Sequence, residues 1–322
     1  MVVSVVYSES QKLTPAQRSL LPTSEDIDFY QRHGWYISKQ LFSDEVIDDL
    51  RQGIERFYAG DRDARLPIQL QPLEDWQPGS DRKGVRINEF LVQQNQQAFE
   101  LSRNPILGAI SALLTGSLQI RLFSSSLYYK PPKDPAIDPT SDITRIGWHH
   151  DRGYWKTCTS ENMISAWIPL HDCDEDMGTL TMIDGSHRWH SSTPSNQWFA
   201  HFANSDPKQQ TEVLVRHAKG KRIQAVPMVL RKGQVSFHHC LTFHGSPPNL
   251  SDRPRIALSF HMQDRENRYR QHWKENGELQ VHNNDRLCRK LPDGTPDYTD
   301  PVFCPVLWEE RLTTNKPTRE LC

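Results

Sequence analysis

Fourteen histidines run through this 322-residue chain, and several stand in tight groups: His149 with His150, His187 with His190, His238 with His239, then His244 and His261. The sharpest group is Gly147-Trp148-His149-His150-Asp151. On an extended strand residues i and i+2 share a face. His149 and Asp151 can therefore chelate one ion together, while His150 points the opposite way. One distant imidazole would complete a facial set of two histidines and one carboxylate. That set fills three positions of an octahedron and leaves three open, as in non-haem Fe(II) oxygenases. H-x-D alone is a weak signal, and a second one gives it weight. Phe243-His244-Gly245-Ser246 follows a β-like run, and Arg255, in Arg253-Pro254-Arg255-Ile256, comes eleven residues after His244. A guanidinium is permanently charged and grips a carboxylate bidentately. Arg255, on a strand expected to neighbour that of His244, is placed to hold the far carboxylate of a dicarboxylic co-substrate chelated to the metal. Singly, His244 also reads as a core histidine and Arg255 as a rim charge. Together, and in this order on a β-rich half, the three signals are hard to obtain by chance.

The rest of the composition narrows the class. Lys plus Arg is 38 and Asp plus Glu is 40, a net charge of -2, without the clustered basic excess of a nucleic-acid binder. Mean hydropathy is -0.70, and no stretch approaches the ~20 apolar residues of a membrane helix. The opening Val2-Val3-Ser4-Val5-Val6 is too short for a signal sequence and lacks a basic lead. Cys158, Cys173, Cys240, Cys288, Cys304 and Cys322 are scattered without a C-x-x-C pair. They read as reduced thiols, and the expected compartment is cytoplasmic. No G-x-S-x-G, P-loop or G-x-G-x-x-G is present, so serine hydrolase, NTPase and dinucleotide enzyme have no support.

The positioning elements follow from pattern. Residues 1–23 read as a loosely held arm. Ser24, with Glu25 and Asp26 behind it, reads as the N-cap of a helix through Phe29 and Tyr30 that stops at Gly34. Residues 35–38 are strand-like. Ser43 caps a second helix carrying Val46, Ile47, Leu50, Ile54 and Phe57 at helical spacing. Residues 60–84 read as a long loop and 105–114 as a third helix closed by Gly116. Beyond Gly116 come short strand-like runs at 118–130, 164–170, 179–183, 222–229, 234–238 and 256–262, separated by turn residues. The expected fold is mainly β with flanking helices, a sandwich or jelly roll. Residues 24–264 form the expected domain, and 265–322 an irregular C-terminal extension packed over it.

These segments resemble the phytanoyl-CoA dioxygenase family of Fe(II)/2-oxoglutarate oxygenases. The likeness spans roughly residues 25–262. It includes Phe29-Tyr30-Gln31-Arg32-His33-Gly34-Trp35, Trp148-His149-His150-Asp151, Ala166-Trp167-Ile168-Pro169-Leu170 and Gly178-Thr179-Leu180. Its specific blocks are Gly185-Ser186-His187-Arg188-Trp189, His244-Gly245-Ser246 and Arg253-Pro254-Arg255. The resemblance implies a double-stranded β-helix, a cupin-like barrel with iron in its mouth. It also implies Fe(II), 2-oxoglutarate and O₂ as cofactor and co-substrates, with ascorbate as an optional reductant. By position it implies His149, Asp151 and His244 as iron ligands and Arg255 as the anchor of the 2-oxoglutarate C5 carboxylate. Ser246 matches a hydrogen-bond helper for that carboxylate, and Trp167 a wall of its pocket. Arg86 and Ser126 match further co-substrate contacts. Asp151 stands where family-like halogenases carry a small residue, which argues against halogenation. Two stretches depart from the pattern: residues 130–147 are long, and the chain past Arg265 has no match.

The expected reaction is hydroxylation of an unactivated C–H of a small molecule, with desaturation or ring formation open to the same apparatus. No run of Lys and Arg marks a CoA phosphate site. Trp148, Tyr154 and Trp155 suggest an aromatic wall for a specialised metabolite. Acyl-CoA or amino-acid hydroxylation is the alternative within the family, and a zinc hydrolase or non-redox metal-binding barrel the alternative outside it. Arg255 argues against the hydrolase, which needs no co-substrate anchor. The expected partner is a small molecule, with no nucleic acid or membrane, and the oligomeric state stays open. Of the other histidines, His150 is expected to pack behind the metal strand, His238 and His239 to shape a hairpin with His244, and His187 to brace a turn.

Overall fold

Gly116 divides a helical first third from a β-rich remainder. The computed structural model describes residues 3–6, 12–68, 70, 84–133, 144–189 and 207–314. Part of the arm, most of the expected 60–84 loop, over half of 130–147, His190 and Cys322 lie outside the described residues. After the short α1 (Pro15–Arg18), helix α2 (Ser24–His33) is entered through Thr23 rather than Ser24. The Thr23 hydroxyl accepts from the Asp26 N–H and the Asp26 carboxylate accepts from the Thr23 N–H. This capping box uses an Asp three residues on, which fits Thr23 and makes Ser24 the first helical residue. Gly34 ends α2 at φ +78°, and a Cβ there would meet the His187 ring at 2.3 Å. His187 braces that turn, with Nε2 3.1 Å from the Gln31 carbonyl. Helix α3 (Asp44–Tyr58) follows Ser43 and buries Ile47, Leu50, Ile54 and Phe57. Asn95 caps α4 (Gln96–Ser102), which lacked a periodic signal. Asn104 and Pro105 open α5 (Pro105–Thr115), and Gly116 closes it in the left-handed conformation. No helix among the described residues is long and apolar enough to cross a membrane.

Among the described residues thirteen strands follow chain order: β1 (Val3–Val6), β2 (Trp35–Ile37), β3 (Arg86–Glu89), β4 (Gln119–Lys130), β5 (Ile146–His149), β6 (Ile164–Pro169), β7 (Thr181–Ile183), β8 (Ala225–Pro227), β9 (Ser236–His239), β10 (His244–Ser246), β11 (Arg255–Asp264), β12 (Val306–Glu309) and β13 (Arg311–Thr314). One antiparallel sheet runs β12-β4-β11-β6-β9-β2 with β3 also on β4, a second runs β5-β10-β7-β8, and β1 pairs β13 apart from both. No strand pairing among the described residues joins the two main sheets. The architecture is an open, two-sheet jelly roll rather than a closed barrel. Helices α6 (Pro207–Ala218) and α7 (Asn283–Leu287) complete the described elements.

Strand β11 shows how the sheet serves two environments. All ten of its residues are buried, and it pairs β4 from Arg255↔Lys130 to Asp264↔Ile120. Ile256, Leu258, Phe260 and Met262 enter the core shared with α5. By alternation Arg255, Ser259 and His261 face the other way, into a cavity. One face of this sheet is covered by the apolar core and the other lines the cavity, so polar side chains alternate with apolar ones although every residue of β11 is buried.

The chain past Arg265 is less irregular than its Pro/Gly punctuation suggested. β12 hydrogen-bonds to β4. Leu287, Tyr298, Phe303 and Cys304 share a buried cluster with Phe90, Phe123 and Trp155. β12 also lies against α5 so closely that a Cβ on Gly108 would meet the Trp308 Cβ at 2.7 Å and the Leu307 carbonyl at 2.9 Å. Gly→Ala inside a helix ordinarily stabilises by roughly 0.5–1 kcal/mol. Here the contact with backbone reverses the sign, and Gly108→Ala is expected to cost about 1–3 kcal/mol, the usual range of overpacking. Urea unfolding measures it. A more stable variant would mean that β12 does not pack on α5.

Candidate metal centre and adjoining cavity

β5 ends at His149, which pairs directly with His244 of β10. The backbone stays extended through His150 (φ -130°, ψ 144°) and then tightens into a 3₁₀ turn at Asp151–Gly153. Alternation therefore persists just far enough to bring His149 and Asp151 to one side. One ligand atom from each of His149, Asp151 and His244 lies within 4.8 Å of the others.

The ring tautomers follow from the second partner of each imidazole. His149 Nδ1 is 2.8 Å from the Gly147 carbonyl, and His244 Nδ1 is 2.9 Å from the Thr242 carbonyl. A carbonyl only accepts, so each Nδ1 carries the hydrogen and each Nε2 keeps its lone pair. Burial lowers both histidine pKa values, favouring the neutral ring that a metal ligand must be. Asp151 Oδ2 accepts from the Ser165 hydroxyl at 2.5 Å and lies 3.2 Å from His238 Nε2. Its Oδ1 is turned to the His244 side, 3.5 Å from Nε2. Burial alone would raise the Asp151 pKa, but the facing His244 and the bond from His238 hold it well below the usual carboxylate range. Ser165 is itself fixed, its Oγ 2.8 Å from His261 Nδ1.

His150 faces away as alternation requires: its Nδ1 accepts from the Gly153 N–H at 3.0 Å, and its ring packs 5.0 Å from Phe243. The hairpin expected to join His238 and His239 to His244 is not there. β9 belongs to the seven-stranded sheet and β10 to the four-stranded one, so the chain crosses between sheets at 240–243. That crossing puts His238 beside Asp151, a contact invisible in the sequence.

Arg255 also lies elsewhere than on a neighbouring strand. β11 is in the sheet opposite β10, and the cavity separates them. Arg255 is 1 % exposed. Its Nη1 donates to the Gly178 carbonyl at 3.0 Å, its guanidinium carbon sits 5.6 Å from the Trp167 ring centroid, and its Nε has no partner. Among the described residues no carboxylate is within ion-pair distance of it. Burial draws its pKa down to about 10, against the pull of Cys173 and Tyr128. Lys130, its cross-strand neighbour, is buried too and donates only to carbonyls, of Gly178, Ser246 and Pro247. The Ser246 hydroxyl is buried without a partner. Burial and the neighbouring Arg255 draw the Lys130 pKa well down, so the guanidinium and the unpaired hydroxyl are the groups that suit an anion.

The three candidate ligands, Arg255, Ser246, Trp167 and Ser126 all line one cavity of about 380 Å³. Arg86 does not. Strand phase gives the lining to Ile87 and Glu89, and Arg86 Nε instead donates to Asn88 Oδ1 at 3.0 Å. Tyr154 and Trp155 form the expected aromatic wall, whereas Trp148 packs with Ile183, Trp189 and Phe243. Sequence reasoning missed Ser165, His238 and His261 around Asp151, and it missed Gln280, Val281, His282 and Asn283, which wall the cavity from the chain past Arg265.

The profile of the family described as phytanoyl-CoA dioxygenase (PhyH) matches residues 30–257. The chain is 26 % identical over 258 residues to the peroxisomal phytanoyl-CoA dioxygenase of Mus musculus, covering 74 % of this chain and 68 % of the relative. It is 26 % identical over 240 residues to the ectoine dioxygenase of Bordetella bronchiseptica, covering 73 % of each. Among solved structures it is similar to the non-heme alpha ketoglutarate dependent carbocyclase SnoK from nogalamycin biosynthesis, with TM-score 0.64 and 21 % identity over 88 % of this chain and 96 % of that one. EctD from S. alaskensis, solved with 2-oxoglutarate and 5-hydroxyectoine, gives TM-score 0.59 and 18 % identity over 84 % of this chain and 86 % of that one. At these identities the structural likeness speaks for the jelly-roll fold.

The geometry predicts a graded response to substitution. His149→Ala, Asp151→Ala and His244→Ala should each abolish stoichiometric binding of Co(II) used as a spectroscopic probe. His150→Ala should leave binding intact. Ser165→Ala, which removes only a support of Asp151, should weaken it by about 10- to 100-fold, the usual effect of outer partners. Full Co(II) affinity in Asp151→Ala would remove this carboxylate from the centre.

Proposed function

The chain belongs to the phytanoyl-CoA dioxygenase (PhyH) family, and from that premise we propose that it is an iron- and 2-oxoglutarate-dependent dioxygenase that hydroxylates an unactivated C–H of a small specialised metabolite. The observation that carries this reading is the pairing, in one cavity, of a two-imidazole, one-carboxylate cluster with a buried guanidinium that has no carboxylate partner among the described residues. The donor set fits Fe(II): two neutral imidazoles and one ionised carboxylate, with space left beside them. The orphaned Arg255 Nε and Ser246 Oγ fit the far carboxylate of a 2-oxo diacid. Bound together, iron, 2-oxoglutarate and O₂ supply the oxidising power, 2-oxoglutarate leaving as succinate and CO₂ while one oxygen atom goes to the substrate.

The protein's own residues then have separable tasks. His149, Asp151 and His244 hold the metal, and Ser165 and His238 hold Asp151. Arg255 and Ser246 bind the C5 carboxylate, with Trp167 beside the guanidinium and Ser126 further along the cavity on the adjacent strand β4. Tyr154 and Trp155 keep water from the reacting end. No side chain is needed as general acid or base. Among the described residues that line the cavity Arg255 is the one Lys or Arg, so none of these would greet the phosphates of an acyl-CoA. This supports a small metabolite over a CoA thioester.

Anaerobic protein with Fe(II) should develop a visible charge-transfer band when 2-oxoglutarate is added, since the keto-acid chelates through two oxygens. A zinc site, with its filled d shell, would give none. Admitting O₂ should release succinate, faster with the true substrate present. Arg255→Ala should raise the apparent KM for 2-oxoglutarate by the equivalent of ~2–5 kcal/mol, as for other truncated buried charge pairs. Neither band nor succinate from iron-loaded protein would end the oxygenase reading.

A further inference from the structure

Among the described residues two carboxylates line the cavity, and the metal centre uses only Asp151. The other is Glu89, at the end of β3. Strand register sets its distance from the co-substrate anchor: Glu89 lies across from Ser126 of β4, and Arg255 across from Lys130. Four residues along β4 amount to roughly 13 Å. Arg255 is therefore not its counter-charge. Asn283, from the chain past the sheets, donates its amide to Glu89 Oε2 and orients the carboxylate. Among the described residues no cation pairs with Glu89. Neighbouring His282 supplies none, because its Nδ1 accepts from the Asn284 N–H and burial draws its pKa down to about 4. Ile87, two residues back on β3, and Val281, two before Asn283, bring apolar side chains to the same cavity. Burial raises the Glu89 pKa against the bond from Asn283, the response of a carboxylate deprived of water without a counter-charge. A partly desolvated carboxylate is satisfied by a cationic N–H donor.

Resting on the reading of this cavity as the active site, we propose that Glu89 is a specificity-determining residue that selects a small substrate bearing a protonated amine, seated on the free carboxylate oxygen with its carbon skeleton against Ile87 and Val281. The test uses the full chain loaded with redox-silent Zn(II) and needs no turnover. Cyclohexylmethylamine, cyclohexylmethanol and cyclohexanecarboxylate, three skeleton-matched probes, are titrated by ligand-observed NMR in the presence of 2-oxoglutarate. The amine should bind about ten-fold or more tighter than the alcohol, and the carboxylate weakest. Glu89→Gln should erase the amine preference. Asn283→Ala, which frees the carboxylate without removing its charge, should reduce the preference and keep its order. An amine that binds no better than the alcohol, or a preference that survives Glu89→Gln, overturns the assignment. The 2-oxoglutarate signal in the same samples reports on the other end of the cavity. Amine preference without 2-oxoglutarate binding would remove the co-substrate reading and leave Glu89 as the selector, and the reverse pattern would do the opposite.

Discussion

A carboxylate and a guanidinium are buried in one cavity and kept from pairing with each other. Moving an ion out of water costs several kcal/mol even after relaxation, and the cheapest remedy for Asp151 and Arg255 would be mutual contact. The fold forbids it by placing Asp151 beyond the end of β5 in one sheet and Arg255 on β11 in the other. Each charge receives partial compensation from its own side: Ser165 and His238 for Asp151, the Gly178 carbonyl for Arg255. Both are left with capacity for something that is not protein, and the whole architecture can be understood as the spacer that preserves it.

Gly178 shows how tightly that spacing is set. It sits at φ +65°, and a Cβ there would meet the carbonyls of Pro247 and Pro248 at 2.4 and 2.6 Å. Its own carbonyl receives both Arg255 and Lys130. A residue that looks like a plain turn glycine thus fixes the height of two buried basic side chains, and no side chain can replace it without moving backbone.

Much of the site was legible because its chemistry is local. His149-x-Asp151 needs only a short extended stretch, and the capped helices announce themselves by Gly34 and Gly116. His244 and Arg255 were found by order and type, but the relation between them was misjudged, because eleven residues of separation does not say whether the chain stays in one sheet. The supports of Asp151 come from β6, β9 and β11, which no window of sequence brings together. Arg86 and Glu89 illustrate the period of two: the segment was identified, and a one-residue difference in phase sent the glutamate rather than the arginine to the cavity. α4 and β12 were missed because four to seven residues carry too little periodicity against Pro- and Gln-rich surroundings.

The wall formed by Gln280, Val281, His282 and Asn283 has a consequence for how such an enzyme changes over time. These residues belong to no strand of either sheet, yet they face the same space as the three candidate metal ligands. Substitutions, insertions or deletions there alter what fits in the chamber without shifting the register of the strands that carry the oxidising machinery. New substrates can therefore be sampled in a segment whose failures do not cost the reaction, which separates the inheritance of chemistry from the inheritance of taste.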